Sequence, residues 1–193
     1  MIKKSLPDFK RIMRLRAGGL VKRFHTFPTV QTQSVAAHTH NVLVLCLQLN
    51  PCCSASLIQA ICYHDLAEYD TGDTPAPAKW KSRALNTALN NLEDEINVKL
   101  EIDINLTTEE EWWLRLCDTL DYMLFACEER SLGNINANLV MDRGMARVTS
   151  SDYKGFIESL DKQTSKRIDD FINGLYSAYS DAVNGKMMDL SLL

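Results

Sequence analysis

Residues 61–73 read ICYHDLAEYDTGD and place one histidine and four acids directly after an apolar run. That run, LIQAIC at 57–62, is typical of a helix that packs against a core. The His64-Asp65 pair then falls at positions where the next turn of an amphipathic helix would face the core. A charge buried there needs a partner such as a cation. The stretch therefore predicts a metal site in a helical protein. The alternative is a capped helix end with solvated acids, which is the usual meaning of an isolated His-Asp dipeptide.

The spacing within the stretch predicts that its polar groups meet. We expect one helix from about Ser54 to Tyr69, in which His64 and Glu68 are four residues apart and share a face. Asp65, rotated by about 100°, reaches the same point from the side. A glycine then ends the helix, so that Asp73 begins a loop that can fold back over the site.

The whole sequence bounds the class of protein. A chain of 193 residues is long enough for one domain with a buried core, and we assign residues 1–193 to it, with the core over roughly 20–182 and a weakly specified tail at 186–193. A net charge of −4 excludes a general basic field for nucleic acid or an anionic membrane. No apolar run is long enough to span a bilayer or to serve as a signal peptide, so we expect a cytoplasmic protein.

Six cysteines without a Cys-x-x-Cys pair are expected to be reduced and mostly buried. They favour a cytosolic protein, and they leave nitrogen and oxygen as the metal ligands.

The apolar spacing is helical along almost the whole chain, which predicts an all-α fold, a single helical bundle. Ser34 is expected to cap one helix, and Thr107 or Thr108 with Glu110 or Glu111 to form a capping box for another. Residues 21–33 are expected to form an irregular link. The predicted helices run over about 7–18, 34–50, 54–69, 79–100, 108–130, 151–160 and 165–182, with a short Asn-rich segment at 134–139.

Two other helices also carry polar residues on apolar faces. His38 lies on the apolar stripe of the second helix, where a histidine is either a satisfied core residue or a metal ligand. Asp118 and Asp121 are embedded in the apolar run at 116–125, where an isolated carboxylate would be unfavourable. Mixed imidazole and carboxylate ligands suit a divalent transition metal, and four of them leave two octahedral positions for water and substrate.

Five segments of the chain, taken in order, resemble the HD-domain metal-dependent phosphohydrolases, which are all-helical. They are RFHT at 23–26, SVAAH at 34–38, YHDLAEY at 63–69, TGDTPAPAKW at 71–80 and CDTLD at 117–121. The resemblance covers residues 23 to about 125. It extends to the bacterial 5'-deoxynucleotidases and, more closely, to the phage dATP triphosphohydrolases, which deplete dATP where 2-aminoadenine replaces adenine in the genome.

The resemblance implies a catalytic metal centre. The ligands that it implies are His38, His64, Asp65 and Asp118. Glu68 would orient or deprotonate the attacking water, and Asp73 would help to position that water or assist the leaving group. The implied metal is one divalent transition ion, Co²⁺ or Mn²⁺ with Zn²⁺ or Ni²⁺ as alternatives, and Mg²⁺ accompanies a triphosphate.

The resemblance also implies the substrate contacts. Arg23 and Lys79 would grip phosphate oxygens, Arg23 with its planar fork and Lys79 as a point charge. Phe24, Thr26 and Pro77 match positions that flank the sugar and the base.

The implied function is hydrolysis of dATP to deoxyadenosine and triphosphate, which would lower dATP in a phage-infected cell. The implied partner is a small deoxynucleotide, with no nucleic acid and no membrane, and the implied assembly is a homo-oligomer, a dimer or a hexamer. The first alternative is a 5'-deoxynucleotidase that releases phosphate from monophosphates. The others are a non-catalytic HD module that binds nucleotides and a helical interaction domain without metal.

Overall fold

The computed structural model describes residues 8–186. Within that range every regular element is a helix, and the sheet-like pairing found there is a single bridge between Lys22 and Ser34. The helices are α1 Asp8–Gly18, α2 Val35–Leu49, α3 Ala55–Tyr63, α4 Glu68–Thr71, α5 Ala76–Lys81, α6 Arg83–Leu100, α7 Thr108–Ser131, α8 Ala137–Val148, α9 Ser151–Ser159 and α10 Lys162–Val183. The predicted all-α fold is confirmed. The predicted tail falls outside the described residues except for Lys186.

Helix α7 is the centre of the structure, and α2, α3, α8, α9 and α10 all pack against it. Its apolar residues recur at helical intervals, and Trp113, Leu116, Leu120 and Met123 are completely buried. Burying a large apolar side chain stabilises a fold by about 1.5–3 kcal/mol. Because α7 is held on several sides, the acids on it have well-defined positions.

The predicted helix starts of α2 and α7 are confirmed. The hydroxyl of Ser34 accepts a hydrogen bond from the amide of Ala37 at the start of α2. At the start of α7, Thr107 and Glu110 form the reciprocal capping box.

The predicted continuous helix over 54–69 is wrong. Helix α3 ends at Tyr63, and a tight turn over 64–67 leads into α4. The ring nitrogen Nδ1 of His64 lies 2.8 Å from the carbonyl oxygen of Ile61, so the side chain takes an acceptor near the end of the helix. In the turn the amide of Glu68 donates to the carbonyl of Asp65, three residues back rather than four.

Two other helix predictions also need correction. The helix expected over 79–100 is divided at Ser82, whose hydroxyl caps α6 by accepting from the amide of Leu85 at 3.2 Å. Helix α8 was not predicted, because asparagines and charged residues surround its buried stripe of Ala137, Met141, Gly144 and Val148.

A small apolar cluster holds the 64–67 turn in place. Leu66 and Ala67 of the turn pack with Ile96 and Leu100 of α6, and all four are buried. The turn is therefore anchored on the side opposite the polar groups of His64 and Asp65.

None of the helices found between residues 8 and 186 has the length and apolar character that crossing a bilayer requires.

Candidate metal centre and substrate cavity

Four side chains from α2, the 64–67 turn and α7 bring their donor atoms together. His38 Nε2 lies 3.1 Å from His64 Nε2, and 3.5 Å and 3.2 Å from the nearest oxygens of Asp65 and Asp118. His64 Nε2 lies 3.3 Å from Asp65 Oδ2. These are the four residues that the resemblance implied as metal ligands. The tertiary structure therefore brings His64, Asp65 and Asp118 to Nε2 of His38, while the coordination of a metal by these four residues stays a prediction.

The spacing of the donor atoms fits a divalent cation. Ligands about 2.0–2.2 Å from a metal lie roughly 2.9–3.6 Å from one another in octahedral or tetrahedral geometry. The measured separations, from 3.1 to 3.5 Å, fall within that range. Of the four, His38, His64 and Asp65 have donor atoms that all lie within 4.8 Å of one another, so these three could hold a cation without rearrangement.

The hydrogen bonds behind the two imidazoles orient them for coordination. Nδ1 of His38 lies 2.6 Å from Oδ2 of the buried Asp121, and Nδ1 of His64 faces the carbonyl of Ile61. Because both partners are acceptors, each Nδ1 carries the proton, and in the neutral ring Nε2 presents its lone pair. Two such lone pairs face each other, which is unfavourable unless a proton or a cation lies between them.

The charges of the cluster are strongly coupled. Burial opposes a charge on His38, but its hydrogen bonds to Asp118 and Asp121 outweigh burial and raise the pKa of His38 to about 9. Burial favours the neutral form of Asp118, yet the hydrogen bond and charge of His38 hold the pKa of Asp118 well below its usual range. Burial acts in the same direction on Asp65, and the neighbouring cationic groups, His64 foremost, leave its pKa lowered. The cluster is therefore anionic at its carboxylates and attracts cations.

Glu68 is a buried acid beside the cluster. Its oxygen Oε2 has no hydrogen-bond partner among the described residues. Burial, together with the charges of Asp65 and Asp73, raises the pKa of Glu68 to about 8, although Arg23 and Lys79 oppose the shift. An unpartnered carboxyl oxygen with a raised pKa is suited to accept a proton from water.

Arg23 lies on the predicted irregular link between α1 and α2, and its side chain extends to the donor cluster. Its guanidinium forms an ion pair with Asp65, and its Nη2 lies 4.0 Å from Asp118 Oδ1. The guanidinium is thus within reach of both the carboxylates and any phosphate bound beside them.

Phe24 follows Arg23 with an unusual backbone conformation. Its φ angle of 56° lies in the left-handed region, which is uncommon for a residue other than glycine. The amide of Phe24 donates to Asp73 Oδ2 at 2.9 Å, and the ring stacks on Phe125 with centroids 4.8 Å apart. Asp73, for which the resemblance implied a role at the attacking water, here holds the backbone that presents the Phe24 ring.

Glu129 is a buried acid that sequence reasoning missed. Its carboxylate accepts hydrogen bonds from the amides of Val30 and Gln31 at 2.6 and 2.7 Å, and from the side chain of Asn134 at 2.7 Å. These bonds tie the link between α1 and α2 to the end of α7. No local pattern reveals this role, because the partners lie 98 and 99 residues away in sequence.

A cavity of about 230 Å³ opens beside the cluster. Of the residues with predicted roles, Arg23, Phe24, Thr26, Asp73, Pro77 and Asp118 line it. Lys79 is not among the lining residues, and its charge acts instead on Glu68 and Glu93. The cavity also has lining residues for which no role was predicted, namely Phe27, Pro75, Ala76, Trp80, Tyr122, Val140, Arg143 and Arg147.

The chain is similar to known proteins in its sequence and in its fold. A model of the HD domain matches residues 19–130. Among solved structures, the cyanophage S-2L HD phosphohydrolase DatZ, bound to dA and one catalytic Zn²⁺ ion, superimposes with a TM-score of 0.62. The identity is 22%, and the match covers 90% of this chain and 99% of that chain. A search of curated proteins found no match.

The fold and the donor cluster define an all-α protein with a possible site for a divalent metal at His38, His64 and Asp65. Because the HD-domain match covers more than half of the chain, the protein belongs to the HD-domain family. The predicted resemblance to the HD-domain family is confirmed, and the predicted enzyme class, an HD-family phosphohydrolase, is the one that these matches support.

Proposed function

We propose that the protein is a metal-dependent phosphohydrolase of deoxynucleotides, with dATP as its substrate and deoxyadenosine and triphosphate as its products. The observation that carries the proposal is that Asp118 of the donor cluster lines a cavity whose other lining residues are of two kinds: arginines, Arg23 among them, form the first part, and aromatic and apolar residues form the second. The first part suits a phosphate, and the second part suits a sugar and base.

The metal ligands in this proposal are His38, His64, Asp65 and Asp118. A bound divalent cation would act as a Lewis acid toward a phosphoryl oxygen and make water more acidic. Co²⁺ or Mn²⁺ is the ion expected from the sequence, and Zn²⁺, the ion named for DatZ, is an alternative that imidazole and carboxylate ligands also suit.

Glu68 is the proposed general base. Its buried carboxyl oxygen Oε2, which has no partner among residues 8–186, lies beside the cluster, so that it can take the proton of the attacking water. Arg23 is the proposed donor to the phosphate, because its guanidinium already lies between the cluster and the cavity and can stabilise developing negative charge. Asp73 acts through Phe24, whose backbone it holds, and Lys79 supplies positive charge near Glu68.

The nucleoside is proposed to bind at the apolar part of the cavity. Phe24, stacked on Phe125, offers a ring face, and Thr26, Pro77 and Trp80 lie around it. Aromatic faces of this kind bind a base by stacking, whatever its hydrogen-bonding pattern.

The alternative is a 5'-deoxynucleotidase, for which the same cluster with Arg23 provides enough contacts for a single phosphate. A homo-oligomer, the absence of nucleic-acid and membrane partners, a cytoplasmic location and the assignment of residues 1–193 to one domain stay predictions.

The deciding experiment is to incubate the purified protein with each dNTP and dNMP in turn, in the presence of Co²⁺, Mn²⁺, Zn²⁺ or Mg²⁺, and to identify the phosphate product. Triphosphate released from dATP is the expected result. Orthophosphate released from several monophosphates, with dATP unchanged, would select the alternative. No product with any metal would refute the phosphohydrolase proposal, and Asp65→Ala serves as the inactive control.

A further inference from the structure

Helix α8 contributes two arginines to the cavity wall. Arg143 and Arg147 are four residues apart, so they lie on one face of the helix, and both line the cavity that contains Arg23 and Asp118. Among residues 8–186, neither arginine forms an ion pair with a carboxylate. Two cations without an acidic partner therefore line a cavity that Arg23 also lines.

Gly144 explains how these arginines reach the cavity. A Cβ atom at this position would fall 2.2 Å from Cγ of Met123 and 3.0 Å from Cε2 of Tyr122. Any residue other than glycine at position 144 would therefore force α8 away from α7. Position 144 lies between Arg143 and Arg147 in the sequence of α8. Close packing at Gly144 fixes both arginines relative to the acid-bearing face of α7.

The guanidinium of Arg147 lies beside two tyrosines, Tyr122 of α7 and Tyr153 of α9. Its guanidinium carbon lies 5.5 Å from the centroid of the Tyr153 ring, and the Tyr153 hydroxyl donates to the carbonyl of Arg115. Tyr122, one helical turn after Asp118 on α7, has a pKa of about 12 because it is buried, with Arg147 opposing the shift and Asp118 adding to it. Arg147 and Asp118 therefore act on the same tyrosine.

We propose that Arg143 and Arg147 bind the distal phosphates of a nucleoside triphosphate whose first phosphate lies at the metal centre. This inference rests on the proposed function and names the residues that would favour a triphosphate over a monophosphate as its substrate. Guanidinium groups form bidentate hydrogen bonds with phosphate, and a triphosphate carries more negative charge than Arg23, already paired with Asp65, can balance. A monophosphate bound at the cluster would leave Arg143 and Arg147 without a role.

The first test uses calorimetry, in the presence of EDTA, to measure how tightly the metal-free protein binds inorganic tripolyphosphate. The double variant Arg143→Gln/Arg147→Gln is expected to bind it at least about tenfold more weakly than the wild type, because each substitution removes a charged hydrogen bond to phosphate. Lys154→Gln, which removes an exposed cation on α9, is the matched control and should bind as the wild type does. Equal affinity of the double variant and the wild type would overturn the inference.

If the double variant fails to fold, the single variant Arg143→Gln decides the question, because this side chain is exposed and its loss leaves the packing intact. It should still weaken tripolyphosphate binding by about threefold or more, the effect of part of one charged contact. An unchanged affinity in this folded variant would overturn the inference as well.

The second test compares kcat/KM for dATP and dAMP with the metal-loaded enzyme. In the double variant, the ratio of kcat/KM for dATP to kcat/KM for dAMP should fall at least about tenfold, because KM for dATP rises. A wild type that hydrolyses dAMP but not dATP would overturn the inference and leave a phosphohydrolase. A wild type that hydrolyses no deoxynucleotide would refute the proposed function, while weaker tripolyphosphate binding by the double variant would still support the assignment of the two arginines.

Discussion

His38 Nδ1 lies 2.6 Å from Oδ2 of Asp121, and both side chains are almost completely buried. This contact decides which nitrogen of His38 faces the centre, because the proton on Nδ1 leaves the Nε2 lone pair free for a cation. Gln33 donates to the same oxygen of Asp121 at 3.1 Å and fixes the carboxylate in turn. The donor cluster thus depends on residues that do not themselves reach the metal.

Replacing Asp121 by Asn should weaken metal binding without removing a ligand. The variant loses the charge that holds the His38 proton on Nδ1, and loss of such a partner lowers metal affinity about 10- to 100-fold. Titration of the metal-free protein with Co²⁺ measures the change. Asp169→Asn, an exposed acid on α10, is the control. An affinity equal to that of the wild type would mean that Asp121 does not orient His38.

Metal affinity should increase with pH because protons compete for His38. In the metal-free protein the pKa of His38 is raised from its ordinary 6.5 to about 9, so charged His38 stabilises that state fully below pH 6.5 and less as the pH rises through 9. Binding of a cation between these values must therefore release a proton. Calorimetry in buffers of different ionisation enthalpy counts the protons. Metal binding without proton release at pH 7 would contradict the raised pKa.

Glu68→Gln should separate chemistry from metal binding. The amide keeps the size of the side chain but cannot accept the proton of water, and losing a general base lowers kcat about 100- to 10,000-fold. Its metal content should stay that of the wild type, whereas Asp65→Ala should lose metal and turnover together. Elemental analysis alongside kinetics distinguishes the two. Parallel loss of metal and activity in Glu68→Gln would show that Glu68 is a ligand.

Glu129→Gln tests whether the link between α1 and α2 must be held for substrate to bind. The variant weakens the contacts to the Val30 and Gln31 amides, each of which costs about 1–3 kcal/mol when left unsatisfied. We expect a lower melting temperature and a higher KM, because Arg23 and Phe24 lie on this link, with unchanged Co²⁺ affinity. Glu128→Gln, the exposed neighbour, is the control. A variant that melts earlier but keeps its KM would limit Glu129 to a structural role.

The features predicted correctly from the sequence depend on residues close together in the chain. Ser34 and Thr107 cap helices through amides only a few residues away, and the buried stripe of α7 repeats at helical intervals. Such local hydrogen bonds and periodicity can be recognised without knowing the fold. The polar residues on those apolar stripes, His38 and Asp118, stood out for the same reason.

The failures have an equally specific cause. Helix α3 ends early because the His64 ring forms a hydrogen bond with the carbonyl of Ile61, an acceptor that a continuing helix would use. Helix propensity does not reveal this competition for the carbonyl. The assignment of Lys79 to the phosphate followed from its place in a motif and stays a prediction; in the structure its charge acts on Glu68 and Glu93.

The sequence by itself determined the helical class and the chemical types of the donor groups, because periodicity and burial of charge are properties of the residues. The tertiary structure alone decided that four donors from three segments meet within 3.5 Å of His38, His64 or both. It also decided that Glu129 holds the link and that α8 brings Arg143 and Arg147 to the cavity. These contacts join residues far apart in the chain, and their positions follow from the packing of α7 against its neighbours rather than from any local pattern.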